Sequence, residues 1–211
     1  DDLETYAYQF IHTDEPQKIF NMKFDVIIGN PPYQLNDGGG TGSSAKPIYH
    51  HFIEQAKKLE PRFLSMIIPA RWYSGGKGLN DFRKEMLNDK RIRVLVDNEK
   101  STEIFPGVDI AGGICYFLWE RDNPGLCNVI NNYEKTQYSS VRPLDEYDVL
   151  IRHGKSISII KKVIQNEKSR VFLNKVVSSR RPFGISSNHT PERKGVKCYF
   201  TQRTGLKHVK S

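Results

Sequence analysis

The sequence of 211 residues has few cysteines and no long apolar run. Its three cysteines, Cys115, Cys127 and Cys198, are too widely spaced for a disulfide framework or a paired zinc motif. We therefore expect free thiols and no bound metal. The apolar runs at 24–29 and 64–70 are much shorter than the roughly 20 residues that span a bilayer, and no secretory signal opens the chain. These absences predict a cytoplasmic protein with no membrane partner.

Acidic residues are scarce in the last part of the sequence. Residues 151–211 carry fifteen Lys and Arg residues but only Glu167 and Glu192, a net charge of +13. Residues 1–150 carry 17 Lys and Arg against 22 Asp and Glu, a net charge of −5. A segment this basic is typical of a phosphate-binding surface, because neutralised phosphates release counterions. The alternative is a solvated, lysine-rich surface.

Apolar runs alternate with amphipathic segments through the first 120 residues, which predicts an α/β fold with a mostly parallel sheet and covering helices. The expected strands are residues 8–12, 24–29, 64–69, 92–96, 110–118 and 127–130. The expected helices are residues 47–59, 79–88 and 156–164, and residues 171–177 suit either a strand or a helix. The sequence becomes polar and basic after about residue 140, which predicts a second unit.

The strand predicted over residues 24–29 ends at Asn30-Pro31-Pro32-Tyr33. A side chain at the carboxyl end of a buried parallel strand lies in the crevice where open α/β sheets bind ligands. The Asn30 amide oxygen and the Pro31 carbonyl are two adjacent acceptors, a pair that suits an exocyclic amino group. Tyr33 supplies a flat face on which a planar heterocycle can stack. The alternative is an Asn–Pro turn followed by a core tyrosine.

The ten residues from Phe24 to Tyr33 resemble the catalytic motif of adenine-N6 DNA methyltransferases of bacterial restriction-modification systems, in particular the Eco57I type. The resemblance implies that Asn30, Pro31 and Pro32 form the catalytic turn, with Asn30 and the Pro31 carbonyl holding the target amine. It also implies that Tyr33 stacks on a base extruded from duplex DNA, because adenine N6 is inaccessible inside the duplex. The implied methyl donor is S-adenosyl-L-methionine (AdoMet).

Two further segments resemble parts of this family. Residues 103–118 are similar to the motif in which an aromatic residue packs on the other side of the extruded base, and Phe105 is the candidate. Residues 8–14 resemble the strand whose terminal acidic residue contacts the AdoMet adenine, which would assign that role to Asp14. Without the family context, Phe105 is an ordinary core residue and Asp14 a turn residue.

The resemblance also implies a division of the chain. Residues 1–140 correspond to the C-terminal part of a methyltransferase domain, a partial Rossmann-like sheet with helices on both faces, and residues 141–211 to a basic linker and the beginning of a target-recognition domain. The segment Arg180–Ile185 resembles part of that second domain. The family's glycine-rich AdoMet loop would precede Asp14, and thirteen residues leave no room for it. We therefore expect the upstream part of the polypeptide to be a partner that is missing here, and the fragment alone to be inactive.

Several alternatives remain open. Enzymes with an Asn-Pro-Pro-Tyr motif can also methylate RNA or a protein glutamine, and a chain without the AdoMet loop could be a non-catalytic DNA-binding fragment. The glycine runs at 38–42 and 75–78 do not match a nucleotide-binding loop, and we predict mobile loops near the base pocket there. His50 and His51 are neighbours in a predicted helix and point about 100° apart, so they cannot share one metal.

Overall fold

The computed structural model of the protein describes residues 2–35, 46–166, 196–199 and 206–209. The chain divides into two compact units, residues 1–161 and residues 162–211. The first unit therefore extends beyond the boundary predicted at residue 140. The predicted segments 38–42, 171–177 and Arg180–Ile185 lie outside the described residues.

A six-stranded sheet forms the centre of the first unit. Its strands are β1 (Val26–Gly29), β2 (Phe63–Pro69), β3 (Ile92–Asn98), β4 (Ile114–Glu120), β5 (Cys127–Tyr133) and β6 (Thr136–Arg142). The helices are α1 (Asp2–His12), α2 (Tyr49–Lys58), α3 (Asn80–Asn88) and α4 (Gly154–Asn166). In the second unit, β7 (Val196–Tyr199) and β8 (Leu206–Val209) form an antiparallel pair.

The strands are arranged in the order β1-β2-β4-β3-β5-β6. Strand β1 pairs in parallel with β2, and β3 pairs in parallel with β5, whereas β4 runs antiparallel between β2 and β3. Four strands, β1, β2, β3 and β5, consequently point in one direction, and their carboxyl ends meet at the same edge of the sheet. The α/β fold class predicted from the sequence is confirmed, but the sheet is mixed and not mostly parallel, because β4 and β6 run antiparallel to their neighbours.

The hydrophobic core lies on one face of the sheet. Helix α2 contributes Tyr49, Ile53 and Ala56 to it, and α3 contributes Phe82, Met86 and Leu87. On the strands, side chains alternate between faces, so residues spaced by two share the core face. These residues are Leu64, Met66 and Ile68 on β2 and Cys115, Phe117 and Trp119 on β4.

The opposite face of the sheet is different. On β1 the core-facing Ile27 packs against the cluster, while the alternate residues Val26 and Ile28 are 52% and 79% exposed. Helices were expected on both faces, but within the described part of the chain no helix covers these two side chains. None of the described helices is long and apolar enough to cross a membrane.

In the first unit, one predicted strand is wrong and one strand was missed, and β7 and β8 of the second unit were not predicted either. Residues 8–12 belong to helix α1, where the ring of Tyr8 stacks on that of His12 one turn later at 4.1 Å. A window of five residues is too short to separate the two periodicities. The missed strand, β6, is largely polar and exposed, and it follows a two-residue turn at Glu134 and Lys135. Both turn residues have positive φ, as such hairpins require, but the turn lacks the usual glycine or asparagine.

Candidate functional site

The Asn-Pro-Pro-Tyr motif directly follows β1, at the edge where the parallel strands end. Proline supplies no N–H to the strand ladder, so two successive prolines take the chain out of the sheet at this point. Pro31 is buried, whereas Asn30 is exposed. Within the described part of the chain, the Asn30 side chain has no hydrogen-bond partner. Its amide is therefore available to a ligand.

A cavity of about 870 Å³ opens beside this motif. Residues from three segments line it, namely 30–34, 69–77 and 105–111, together with Pro47 and Tyr49. Asn30, Tyr33 and Phe105, three residues selected from the sequence, all contribute to its wall. The volume lies in the range usual for small-molecule sites and is ample for a purine base.

Tyr33 is fixed from behind by the core. Its ring meets that of Tyr49 edge to face, with centroids 6.5 Å apart, and its carbonyl accepts a hydrogen bond from the Ile48 amide at 3.1 Å. The hydroxyl is buried, and burial, with a smaller contribution from Cys115, raises the pKa of Tyr33. The ring is only partly buried, so it remains available for stacking on the cavity side.

Phe105 reaches the cavity from a compact loop between β3 and β4. The loop closes around Ser101, whose hydroxyl donates to the Val108 carbonyl at 2.8 Å and accepts from the Ile110 amide at 2.7 Å. The Phe105 amide itself donates to the Ser101 carbonyl at 2.8 Å. Phe105 is half-buried and lines the cavity, which excludes a position deep in the core away from Asn30.

Comparisons with known proteins match part of the chain. Residues 1–105, just under half of the chain, are similar to the Eco57I restriction-modification methylase family. The matched segment contains the Asn-Pro-Pro-Tyr motif and ends at Phe105.

One relative of this methylase segment is a Mycoplasma pneumoniae protein named "Uncharacterized adenine-specific methylase", 42% identical over 144 residues. The match covers 63% of the present chain and 33% of that protein, so the chain spans about a third of the length of the relative.

Two solved structures from type I restriction-modification systems also resemble the chain. One chain, from a study of complex assembly and conformational transition, has a TM-score of 0.40 at 15% identity and covers 70% of the present chain and 31% of its own length. The methyltransferase subunit from Streptococcus thermophilus has a TM-score of 0.39 at 12% identity, with coverages of 76% and 35%.

Asp14 does not lie with Asn30, Tyr33 and Phe105. It follows a helix instead of ending a strand, and it lines a separate depression formed by the end of α1, by α2 and by Arg91. The expected contact of Asp14 with the AdoMet adenine depended on a strand over residues 8–12. Because that strand is a helix, the structural reason for the assignment is lost.

Two cations that the sequence analysis did not select also line the cavity. Arg71 follows β2, and Lys77 lies in the glycine loop 75–78, which was predicted to be near the base pocket. Lys77 has a φ of 48°, an uncommon value for a residue other than glycine. The loop is anchored by the Gly76 amide, which donates to Asn80 Oδ1 at 3.1 Å, and by Arg83, which donates to the Ser74 carbonyl at 2.6 Å. Only the fold reveals these cations, because they belong to no recognisable motif.

The adjacent histidines pack against each other in α2. The rings of His50 and His51 lie 3.9 Å apart, and burial, followed by the charge of His51, lowers the pKa of His50 to about 4. No cluster of three or more metal-ligating side chains occurs among the described residues.

Proposed function

We propose that the chain is part of an AdoMet-dependent methyltransferase that transfers a methyl group to adenine N6 in duplex DNA. One observation carries the proposal, namely the exposed Asn30 amide, which has no hydrogen-bond partner among the described residues, on the wall of a cavity that Tyr33 and Phe105 also line. The similarity of residues 1–105 to a restriction-modification methylase family supports it. The relative's name, adenine-specific methylase, favours adenine over a protein glutamine.

The residues of the cavity suit an adenine taken out of the duplex. The Asn30 side-chain oxygen and the Pro31 carbonyl would accept hydrogen bonds from the two N6 protons. Tyr33 and Phe105 would stack on the ring, a contact worth roughly 1–3 kcal/mol per base. Together these contacts would align N6 and raise electron density on the nitrogen. No acidic or basic side chain is required, and the chemistry depends on positioning.

The described residues fit the base better than they fit the cofactor. AdoMet, when bound, supplies an activated methyl group, but its ribose hydroxyls and positive charge call for acidic partners. Among the described residues on the cavity wall, Asp109 is the single acidic side chain, and it is accompanied by Arg71 and Lys77. Asp14 is elsewhere. We therefore assign recognition of the base to this segment and propose that the main cofactor contacts lie outside the described residues.

The partner that best suits the charges is duplex DNA. Arg71 and Lys77 form no ion pair within the described part of the chain, and their position at the cavity suits the phosphates beside an extruded nucleotide. Phosphate contacts position a protein on DNA, whereas base contacts specify the target. We propose that the basic residues 151–211, with their net charge of +13, extend this contact as the start of a recognition domain.

The proposal is tested with the full-length protein in a bacterial host that lacks adenine methylation. Sequencing of the host DNA for N6-methyladenine should show modification at one recurring sequence, which would also identify the recognition site. The Asn30→Ala variant should lose nearly all modification while binding that DNA normally. Asn88→Ala is the matched control, since Asn88 is an exposed asparagine at the end of α3 and does not line the cavity.

The outcomes separate the proposed function from its rivals. Methylation by the Asn30→Ala variant at the wild-type level would disprove the role of the amide. Modified RNA or a modified glutamine in the host, without modified DNA, would show that the substrate is different.

A further inference from the structure

A buried ion pair lies at the carboxyl end of β3, next to the cavity. Asp97 is 1% exposed and accepts two hydrogen bonds from Arg152, from Nε at 2.8 Å and from Nη2 at 2.6 Å. Asn131, on the neighbouring strand β5, donates to the same carboxylate at 2.7 Å. Burial alone would lower the pKa of Arg152, but the contact with Asp97 raises it above its usual value. The guanidinium is thus permanently charged and fixed in orientation.

The third guanidinium nitrogen of Arg152 binds the loop between β3 and β4 that lines the cavity. Its Nη1 donates to the Gly112 carbonyl at 2.9 Å. Gly112 and Gly113 have φ values of 90° and 80°, and they end the segment 105–111 that lines the cavity. A Cβ atom at Gly113 would lie 2.2 Å from the Asn98 carbonyl oxygen, so only glycine permits this close approach to β3.

The loop is therefore held at two points, and a hydrogen bond from the Gly113 amide to the Ile110 carbonyl at 2.8 Å joins them. At one end Ser101 binds the backbone of Val108 and Ile110. At the other end Arg152 binds Gly112, and the Gly113 carbonyl accepts from the Ala70 amide at 3.0 Å. Arg152 is the one side chain among these that comes from the far end of the first unit, beyond β6.

We propose that Arg152 is a positioning residue for the base cavity: anchored on Asp97, it holds the Gly112 carbonyl and thereby sets the position of the wall that carries Phe105. This inference rests on the proposed function, because it assigns Arg152 a role in the placement of the extruded base. If Arg152 served only to neutralise Asp97, its hydrogen bond to the Gly112 carbonyl would not be needed. Lysine could supply the charge, but it could not make the two parallel bonds and the third bond at once.

The opposite end of β3 provides a matched control. There Arg91 makes two hydrogen bonds to Asp89, at 2.7 Å from Nε and 3.0 Å from Nη2, and the Asp89 side chain is 6% exposed. Neither residue lines the base cavity. The Arg91→Lys change therefore perturbs a similar pair, just before the same strand, without touching the loop.

The test compares Arg152→Lys and Arg91→Lys in the full-length protein, with DNA that carries the recognition sequence. Three quantities are measured: the thermal unfolding temperature, kcat and KM for methylation, and the fluorescence of 2-aminopurine placed at the target adenine. We expect Arg152→Lys to lower kcat roughly 10- to 100-fold, as small misplacements do, with KM for DNA little changed. Its 2-aminopurine signal should differ from that of the wild type because the stacking wall has moved. Arg91→Lys should alter the unfolding temperature alone.

Two results would overturn the inference. If both variants lose thermal stability and both keep wild-type kcat and fluorescence, the Arg152 pair is only structural. If Arg91→Lys lowers kcat as much as Arg152→Lys does, the effect is general loosening of β3. Absence of methylation by the wild-type protein would instead remove the proposed function, and this inference with it.

Discussion

The two ends of strand β3 use the same chemistry for different purposes. Just before its start, Asp89, whose side chain is 6% exposed, binds Arg91, Lys57 at 3.0 Å and the Trp119 indole at 2.9 Å. At its end, Asp97 and Arg152 lie beside an open cavity and reach a glycine turn. Among the described residues, buried polar atoms without a hydrogen-bond partner occur at both ends, namely Arg93 Nε near the start and Asn98 Nδ2 and Asn131 Oδ1 at the carboxyl end. The open cavity thus distinguishes the carboxyl end, where we propose that the base binds, from the start, where we expect changes to affect stability.

The Asp89→Ala variant should have the largest effect on the free energy of unfolding. The variant should cost about 1–3 kcal/mol, because it removes hydrogen bonds to a charged group and leaves the Trp119 indole without its acceptor, whereas Lys57 keeps Glu85 as a partner at 2.9 Å. Urea unfolding should show a loss of this size, with normal methylation per folded molecule. Comparable stability of variant and wild type would show that the cluster does not stabilise the fold.

The same cluster predicts a pH dependence. Burial would raise the pKa of Asp89, but the hydrogen bond from Arg91 and the charge of Lys57 outweigh it, and the pKa is lowered below its ordinary value of 3.8. A carboxyl group with a lowered pKa in the folded state stabilises the protein above the unfolded-state pKa, and that contribution is lost as pH falls below it. The wild type should therefore lose stability below about pH 4 more steeply than the Asp89→Ala variant.

Phe105→Ala should lower kcat/KM for methylation by an intermediate amount and leave stability nearly unchanged. Loss of one stacking contact of roughly 1–3 kcal/mol corresponds to a decrease of about 5- to 150-fold in kcat/KM. Phe105 is only half-buried, so the free energy of unfolding should change little. Tyr138→Ala is the control, since Tyr138 is an aromatic residue on β6, 41% exposed and outside the cavity. Equal kcat/KM values for wild type and Phe105→Ala would remove the stacking role.

The cations at the cavity should have the smallest effect. Each phosphate contact contributes about 0.9 to the slope of log affinity against log salt, so Arg71→Gln and Lys77→Gln should each reduce that slope by roughly this amount. Filter binding over a range of salt concentrations measures it. Lys84→Gln, an exposed lysine on α3 away from the cavity, should leave the slope unchanged. Equal slopes for all variants would show that the two cations do not contact phosphate.

Local sequence patterns predict part of the cavity wall well. A strand that ends in two prolines places Asn30 and Tyr33 in the crevice whatever the rest of the chain does, and Phe105 follows from its own segment. The Arg152–Asp97 pair has no such local signal, since 55 residues separate the two side chains and no motif links them. Arg71 and Lys77 reach the cavity only through the turns after β2, and the helix over residues 8–12 depends on contacts outside that window. Residues positioned by tertiary contacts are thus the ones that sequence patterns miss.

A photocrosslink from the target base itself tests most directly whether the extruded base lies next to Asn30. 5-Iodouracil is placed at the position of the methylated adenine in a duplex, bound to the full-length protein and irradiated, and the modified peptide is identified by mass spectrometry. The account predicts a crosslink to Tyr33 or Phe105, lost when that residue becomes alanine. A crosslink to a residue outside the cavity, with none to these two aromatic rings, would contradict the placement of the extruded base next to Asn30.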